Sequence, residues 1–126
     1  MAKISKSFNS SENASKQRKF RAESAIHQRK KLMSSNLSKD LRKRHSMRSF
    51  QLRKGDTVRI MRGEFNKKTG KILEVNMKKL KVYIEGMQRS KRDGTKVNVP
   101  FDPSNLQITE LNLDDKKRMK TMEKKK

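Results

Sequence analysis

The apolar residues of this 126-residue chain are too few and too unevenly spread to build more than one small core. They make up 30% of the chain, against roughly 45–50% in an ordinary globular domain. Of 38 such residues, 21 fall within residues 51–113. The flanks are mostly charge. Residues 1–50 hold 14 Lys and Arg against 3 Asp and Glu, and residues 114–126 hold 7 against 3. The whole chain holds 35 against 13, a formal +22. A field of one sign attracts phosphate and repels basic surfaces, so the expected partner is a polyanion. The absence of Cys excludes a disulfide framework and a Cys-ligated zinc site. No apolar run approaches the ~18 residues of a membrane span, and no apolar stretch follows Met1-Ala2-Lys3-Ile4 as in a signal peptide. The expectation is a soluble, intracellular protein with one small domain at most, no membrane partner and no homo-oligomer.

The middle of the chain has the period of strands. Thr57–Arg62 sets Val58 and Ile60 on one face and Thr57, Arg59 and Met61 on the other. Leu80, Val82 and Ile84 alternate in the same way, as do Val97 with Val99 and Leu106 with Ile108. Ile72 and Val75 share a face only if one residue is added, which predicts a bulge or sharp bend in Lys71–Val75. Most of these positions are β-branched, which favours strand over helix. Turn residues separate the runs: Gly55, Gly63 and Gly70, the Asp93-Gly94 pair that signals a hairpin, and Pro100 and Pro103 beyond it. About five short strands in ~60 residues predict a small, curled, half-open barrel with a marginal core.

The flanks read differently. Ala14 to Met33 has helical propensity, with Ala22, Ile26 and Met33 at helical spacing and Arg29 interrupting them. Ser38 is placed to cap a second helix, with Asp40 in its first turn. Asp114 and Asp115 begin a short C-terminal helix that ends in basic residues. None of these segments is expected to bury much. The first 15 residues and the last several are expected to be disordered in isolation.

Catalysis finds no support. His27 and His45 lack a carboxylate or Cys at ligand or triad spacing, and Gly63 and Gly70 lack the Gly-Lys-Ser/Thr ending of a phosphate loop. Asp56, Glu64 and Asp93 are metal ligands only on paper; turn and loop roles are the plainer reading. No enzyme activity, metal or cofactor is expected. Nucleic acid fits better, because basic residues recur along the whole chain and lie on the outward faces of strands at Arg59, Lys71 and Lys81. In residues 1–50 they interleave with Phe20, Ile26 and Leu32, as in an extension that takes shape on a phosphate-rich surface. Phe20 either stacks on a base or ribose or packs against the barrel.

Arg53-Lys54-Gly55-Asp56-Thr57-Val58-Arg59-Ile60-Met61-Arg62-Gly63, followed by Gly70–Val75 and Val82–Gly86, resembles the KOW motif of ribosomal proteins and transcription elongation factors. His27–Ser35, Leu37–Leu41, Asp93-Gly94-Thr95, Pro103–Leu106 and Leu111–Asp115 resemble large-subunit ribosomal protein twenty-four in its archaeal form, the family numbered twenty-six in eukaryotes. The resemblance covers about residues 14–120. It implies an SH3-like barrel over 51–113 with basic extensions at 1–50 and 114–126. It implies direct binding to large-subunit ribosomal RNA near the 5′ domain, an early role in assembly, and neighbouring ribosomal proteins at the polypeptide exit tunnel. The family's loop at Phe65–Thr69 usually has an extra Gly. Here Asn66, Lys67 and Lys68 stand there, and Asn66 is able to take the positive φ. Gly70 matches the motif glycine and needs either positive φ or a close approach.

The expected RNA contacts fall in three groups. The barrel offers Arg53, Lys54, Arg59, Arg62, Lys67, Lys68 and Lys71. The hairpin offers Arg89, Lys91 and Arg92. The N-terminal extension offers Arg18, Lys19, Arg21, Arg29, Lys30, Lys31, Arg42, Arg44 and Arg48. A KOW-type elongation regulator is the alternative, but residues 1–50 are too basic and too poor in apolar residues to be its second globular domain. A chromatin-type packaging protein is permitted by composition and not suggested by the strand-rich middle.

Overall fold

The computed structural model describes residues 11–123. Expectations about the first ten and last three residues lie outside them. The N-terminal region holds helices α1 (Ala14–Glu23) and α2 (Ile26–Leu32), strand β1 (Ser34–Leu37), helix α3 (Lys39–His45) and strand β2 (Ser49–Gln51). The middle holds β3 (Thr57–Ile60), β4 (Thr69–Asn76), β5 (Lys81–Ser90), β6 (Lys96–Phe101), a 3-10 turn at Pro103–Asn105, and β7 (Leu106–Glu110). Helix α4 (Lys116–Glu123) follows. The fold is mainly β, as expected. Its seven strands make one mixed sheet in the order β2-β1-β7-β3-β4-β5-β6, which is not a closed barrel.

The alternating runs form the centre. Val58 and Ile60 on β3, Val82 and Ile84 on β5, and Leu106 and Ile108 on β7 are all fully buried. The predicted bulge is present, where the β4–β5 register shifts between Ile72 and Glu74. The extra residue turns Leu73 outward and keeps Ile72 in the core. Two expected inward positions differ. Leu80 ends the β4–β5 turn at φ 53° and only half-buries. Val97 is 43% exposed, because the outer half of the β5–β6 hairpin runs past the core; Phe101 supplies the buried residue of β6.

The N-terminal region corrects the expectation that it buries little. Met33, Leu37, Leu41, Met47 and Phe50 all belong to the core. β1 adds a parallel strand beside β7, pairing Asn36 with Gln107 and Leu37 with Ile108, and β2 pairs antiparallel with β1. Ser35 is buried on the same face as Leu37 and donates its hydroxyl to the Pro103 carbonyl. The single helix expected over 14–33 is two. Ser24 closes α1, with its N–H on the Phe20 carbonyl at 2.9 Å. Arg29 folds back from α2 to donate to the carbonyls of Ser24 (2.9 Å) and Ala22 (2.6 Å). The break turns Ile26 out, 75% exposed, while Met33 enters the core. Ser38 caps α3 as predicted, accepting from the Leu41 N–H.

One buried ion pair joins the N-terminal region, the sheet and the C-terminal helix. Asp56 is fully buried and Arg118 is 3% exposed. Arg118 Nη1 and Nη2 donate to Asp56 Oδ1 (2.6 Å) and Oδ2 (2.7 Å), a two-pronged contact. The backbone N–H groups of Arg53 and Asn112 fill the remaining acceptor directions of the carboxylate, each at 2.9 Å. Arg118 also donates to the carbonyls of Asn112 (2.7 Å) and Gln51 (3.0 Å), with its guanidinium carbon 5.2 Å from the centre of the Phe50 ring. The basic character of α4 concealed this residue in the sequence.

Gly70 resolves as a close approach. A Cβ there would lie 2.7 Å from Ile84 Cγ2 and 3.0 Å from the Glu85 carbonyl oxygen. Ile84 is fully buried and has nowhere to move. Gly55, Gly63 and Gly94 take positive φ, as does Gly86.

Two outcomes are expected. Gly70→Val should destabilise the fold by about 1–3 kcal/mol, more than Lys→Ala at any of the exposed lysines; equal thermal midpoints would refute the packing account. Arg118→Met should cost about 3–5 kcal/mol by stranding a buried carboxylate, and adding Asp56→Asn should restore part of that loss in a denaturation cycle. Additive losses would mean that the pair does not act as a unit.

Candidate nucleic-acid interface

The cations of the middle strands stand on rigid mounts. Thr57 pairs with Lys71 across β3 and β4, which puts Lys71 on the outward face with Arg59. Arg59 donates to Gln107 Oε1 at 2.8 Å and so is held across to β7. On the same face Thr57 donates its hydroxyl to Glu110 at 3.1 Å.

The loop between β3 and β4 carries Arg62, Lys67 and Lys68, all exposed. It is pinned by backbone hydrogen bonds from Met61 to Asn105 (2.8 Å), Lys67 to Ile60 (2.8 Å) and Ile60 to Lys68 (2.9 Å). Phe65 anchors it, buried edge-on against Phe101 with ring centres 5.9 Å apart. The Lys68 ammonium lies 5.1 Å from the Phe65 ring centre. Besides Gly63, the left-handed residue of this loop is Lys67 at φ 68°, where the sequence pointed to Asn66. The carbonyl of Ile60 takes the N–H of Lys67, and that closure sets the backbone whatever the side chain.

The hairpin turn forms at Asp93-Gly94 as predicted. Lys91 N–H reaches the Thr95 carbonyl at 2.8 Å, and Asp93 accepts from both the hydroxyl (2.7 Å) and N–H (2.9 Å) of Thr95. Those bonds hold the Asp93 carboxyl below the usual carboxylate range. Lys91 and Arg92 project from this turn, exposed. Arg89 forms an ion pair with Glu64, which brings the hairpin and the β3–β4 loop together. Arg53 pairs with Asp115, and Lys54 is exposed beside it. The Arg53 guanidinium and the Lys117 N–H lower the Asp115 carboxyl, which starts α4. A carboxyl lowered in the fold favours it above the ordinary range and loses that contribution as pH falls.

The N-terminal cations divide into two kinds. Arg29 and Arg42 are half-buried and direct hydrogen bonds to the protein's own carbonyls, Arg42 to that of Leu37 at 2.9 Å. Both have structural work that the sequence did not disclose. Arg18, Lys19, Arg21, Lys30, Lys31, Arg44 and Arg48 are exposed. Of these, Lys19 faces Glu23 one turn on, at 3.8 Å. Lys30 and Lys31 rim two adjoining cavities of about 300 and 260 Å³ over Phe50, Gln51 and Thr121, with Lys117 opposite. Arg18 and Arg21 line a separate cleft of about 290 Å³ with Lys78 and Lys79, two cations absent from the expected set.

The three carboxylates considered as metal ligands go elsewhere: Asp56 to Arg118, Glu64 to Arg89 and Asp93 to Thr95. Among the described residues no three His, Asp or Glu gather as a metal site, and no helix is long and apolar enough to cross a membrane.

A model of the family described as ribosomal proteins L26 in eukaryotes and L24 in archaea matches residues 11–125. The large ribosomal subunit protein uL24 of Korarchaeum cryptofilum (strain OPF8) is 40% identical over 115 residues, covering 91% of this chain and 88% of that protein.

Glu64→Gln should free Arg89 and remove one negative charge from the loop–hairpin face. Elution from a heparin column is expected to shift to higher salt with the thermal midpoint little changed, as an exposed pair contributes only about 0–1 kcal/mol. Unchanged or earlier elution would exclude this face from polyanion binding.

Proposed function

The chain belongs to the family of eukaryotic ribosomal proteins L26 and their archaeal L24 counterparts, and on that premise we propose that it is a structural protein of the large ribosomal subunit that binds its ribosomal RNA directly. It acts as a clamp, with no catalytic step and no cofactor. Residues 51–113 are its SH3-like KOW unit, residues 1–50 its RNA-binding extension and residues 114–126 its basic tail. It binds early in assembly at the 5′ domain, beside ribosomal proteins near the exit tunnel of the cytoplasmic ribosome. It needs no second copy of itself.

The imbalance of charge pairing supports this most directly. Five ion pairs among the described residues use Glu23, Glu64, Asp56, Asp102 and Asp115. The chain holds 35 basic residues, and most of the candidate contacts stay outside those pairs. Arg62, Lys67, Lys71, Lys91 and Arg92 are exposed, set on strands, a pinned loop and a tight hairpin turn. Charges held on a rigid frame release condensed counterions from RNA at small cost in ordering their own backbone.

The test is sedimentation of a lysate on a sucrose gradient, before and after a high-salt wash, with the chain followed by mass spectrometry. Comigration with the large subunit that survives the wash is expected. Release at modest salt, or migration with polymerase, would overturn the assignment and bring forward the elongation-regulator reading.

A further inference from the structure

The cleft between α1 and the β4–β5 turn is built from two segments more than fifty residues apart in sequence, and both are basic. Arg18 and Arg21 form one wall; Lys78, Lys79 and Lys81 form the other, with Asp102 at its edge. The one carboxylate is already engaged, by Lys81 Nζ at 2.7 Å. The turn is firmly shaped. Asn76 Oδ1 accepts the Lys79 N–H at 3.0 Å, and Leu80 holds φ 53° with its side chain packed against the core. A leucine in that conformation is strained and persists only where its surroundings fix it.

Helix α1 is the opposite case. It is ten residues long, none of them buried, with Phe20 only half-buried. Isolated helices of that length are marginal in water. Across the cleft its two arginines face three lysines with a single carboxylate between them, so the bare walls repel. An anion between the walls reverses the sign of that interaction.

We propose that this cleft is a binding site for the RNA sugar–phosphate backbone, and that α1 docks on the β4–β5 turn by sharing a phosphate with it. This rests on the RNA-binding reading above and adds to it a defined site, two unexpected contacts (Lys78 and Lys79) and a coupling between binding and the order of α1. The KOW unit binds first, and α1 closes over the strand that it holds.

The chain has no cysteine, so two introduced ones carry the only labels. In the full chain, S15C on α1 and E74C on β4 are spin-labelled, and the distance between them is measured with and without a transcript of large-subunit ribosomal RNA. A broad distribution that narrows on adding RNA is expected. A distribution already narrow at low salt without RNA would overturn the coupling. Inorganic phosphate at the same phosphate concentration should leave it broad; equal narrowing would make this a free-anion site and overturn the RNA assignment. In parallel, Lys78→Ala with Lys79→Ala, and Arg18→Ala with Arg21→Ala, should each lower the slope of log affinity against log salt by about 1.4–1.8, from two lost phosphate contacts. Combined, the four changes should cost less affinity than the product of the two separate losses, because either wall alone leaves the site incomplete. Unchanged slopes with tight RNA binding would sink the cleft and spare the RNA-binding reading. No RNA binding by the unaltered chain would sink both.

Discussion

The Asp56–Arg118 pair is the constraint from which the rest of the architecture follows. A charge in a fully buried position is tolerated only when it is paired and hydrogen-bonded on all sides. Here the two-pronged guanidinium and the Arg53 and Asn112 amides satisfy the carboxylate, and the Asn112 and Gln51 carbonyls take further guanidinium protons, leaving only Arg118 Nε without a partner. Because those groups come from β2, the turn before β3, the segment after β7 and α4, none of these pieces moves without exposing a cost to the others. A hydrophobic plug would fill the same space, yet it would not fix the direction from which α4 approaches. A protein with 30% apolar residues has few other means of joining its ends to its core.

The same scarcity governs the surface. Carboxylates are few, and several act as pins: Glu64 ties the β3–β4 loop to the hairpin, Asp102 ties Lys81 to the sheet, and Asp115 ties Arg53 to the start of α4. Each joins two parts of a frame on which other cations ride unpaired. Arginine also serves the backbone. Arg29 and Arg42 satisfy carbonyls that apolar packing would otherwise have to shield by other means. The charge count of the chain therefore overstates the number of residues free to meet a ligand.

The centre of the fold was legible because its signal is periodic. Val58 with Ile60, Val82 with Ile84 and Leu106 with Ile108 alternate as strands must, and the Ile72–Val75 misfit predicted its bulge. Ser38, Asp93-Gly94 and Asp115 spoke through local hydrogen-bond chemistry. What stayed hidden were β1 and β2, which bring one buried apolar side chain each, Leu37 and Phe50. A strand with one apolar residue has no period; Ser35 shares the face of Leu37, and its hydroxyl is satisfied only by a carbonyl 68 residues away. Arg118 was hidden for a related reason. In a run of basic residues nothing local distinguishes the one that turns inward. Of the candidate interface, the outward placing of Arg59 and Lys71 on their strands was readable. The diversion of Arg29 and Arg42, and the placing of Arg18 and Lys79 on one cleft, depend on tertiary structure that spacing does not encode.

The order in which the chain is made gives the buried pair a further meaning. Asp56 leaves the synthesising ribosome 62 residues ahead of Arg118, and β1 waits about as long for its parallel neighbour β7. Through that interval the carboxylate has no guanidinium to receive it, and the sheet lacks the strand that links its two halves. Joining the two halves of the sheet and docking α4 are thus deferred until nearly the whole described chain has emerged. Over that interval the nascent protein is strongly cationic with its ends unjoined to its core, drawn to any nucleic acid within reach, and a chaperone that masks charge would serve it better than one that masks grease.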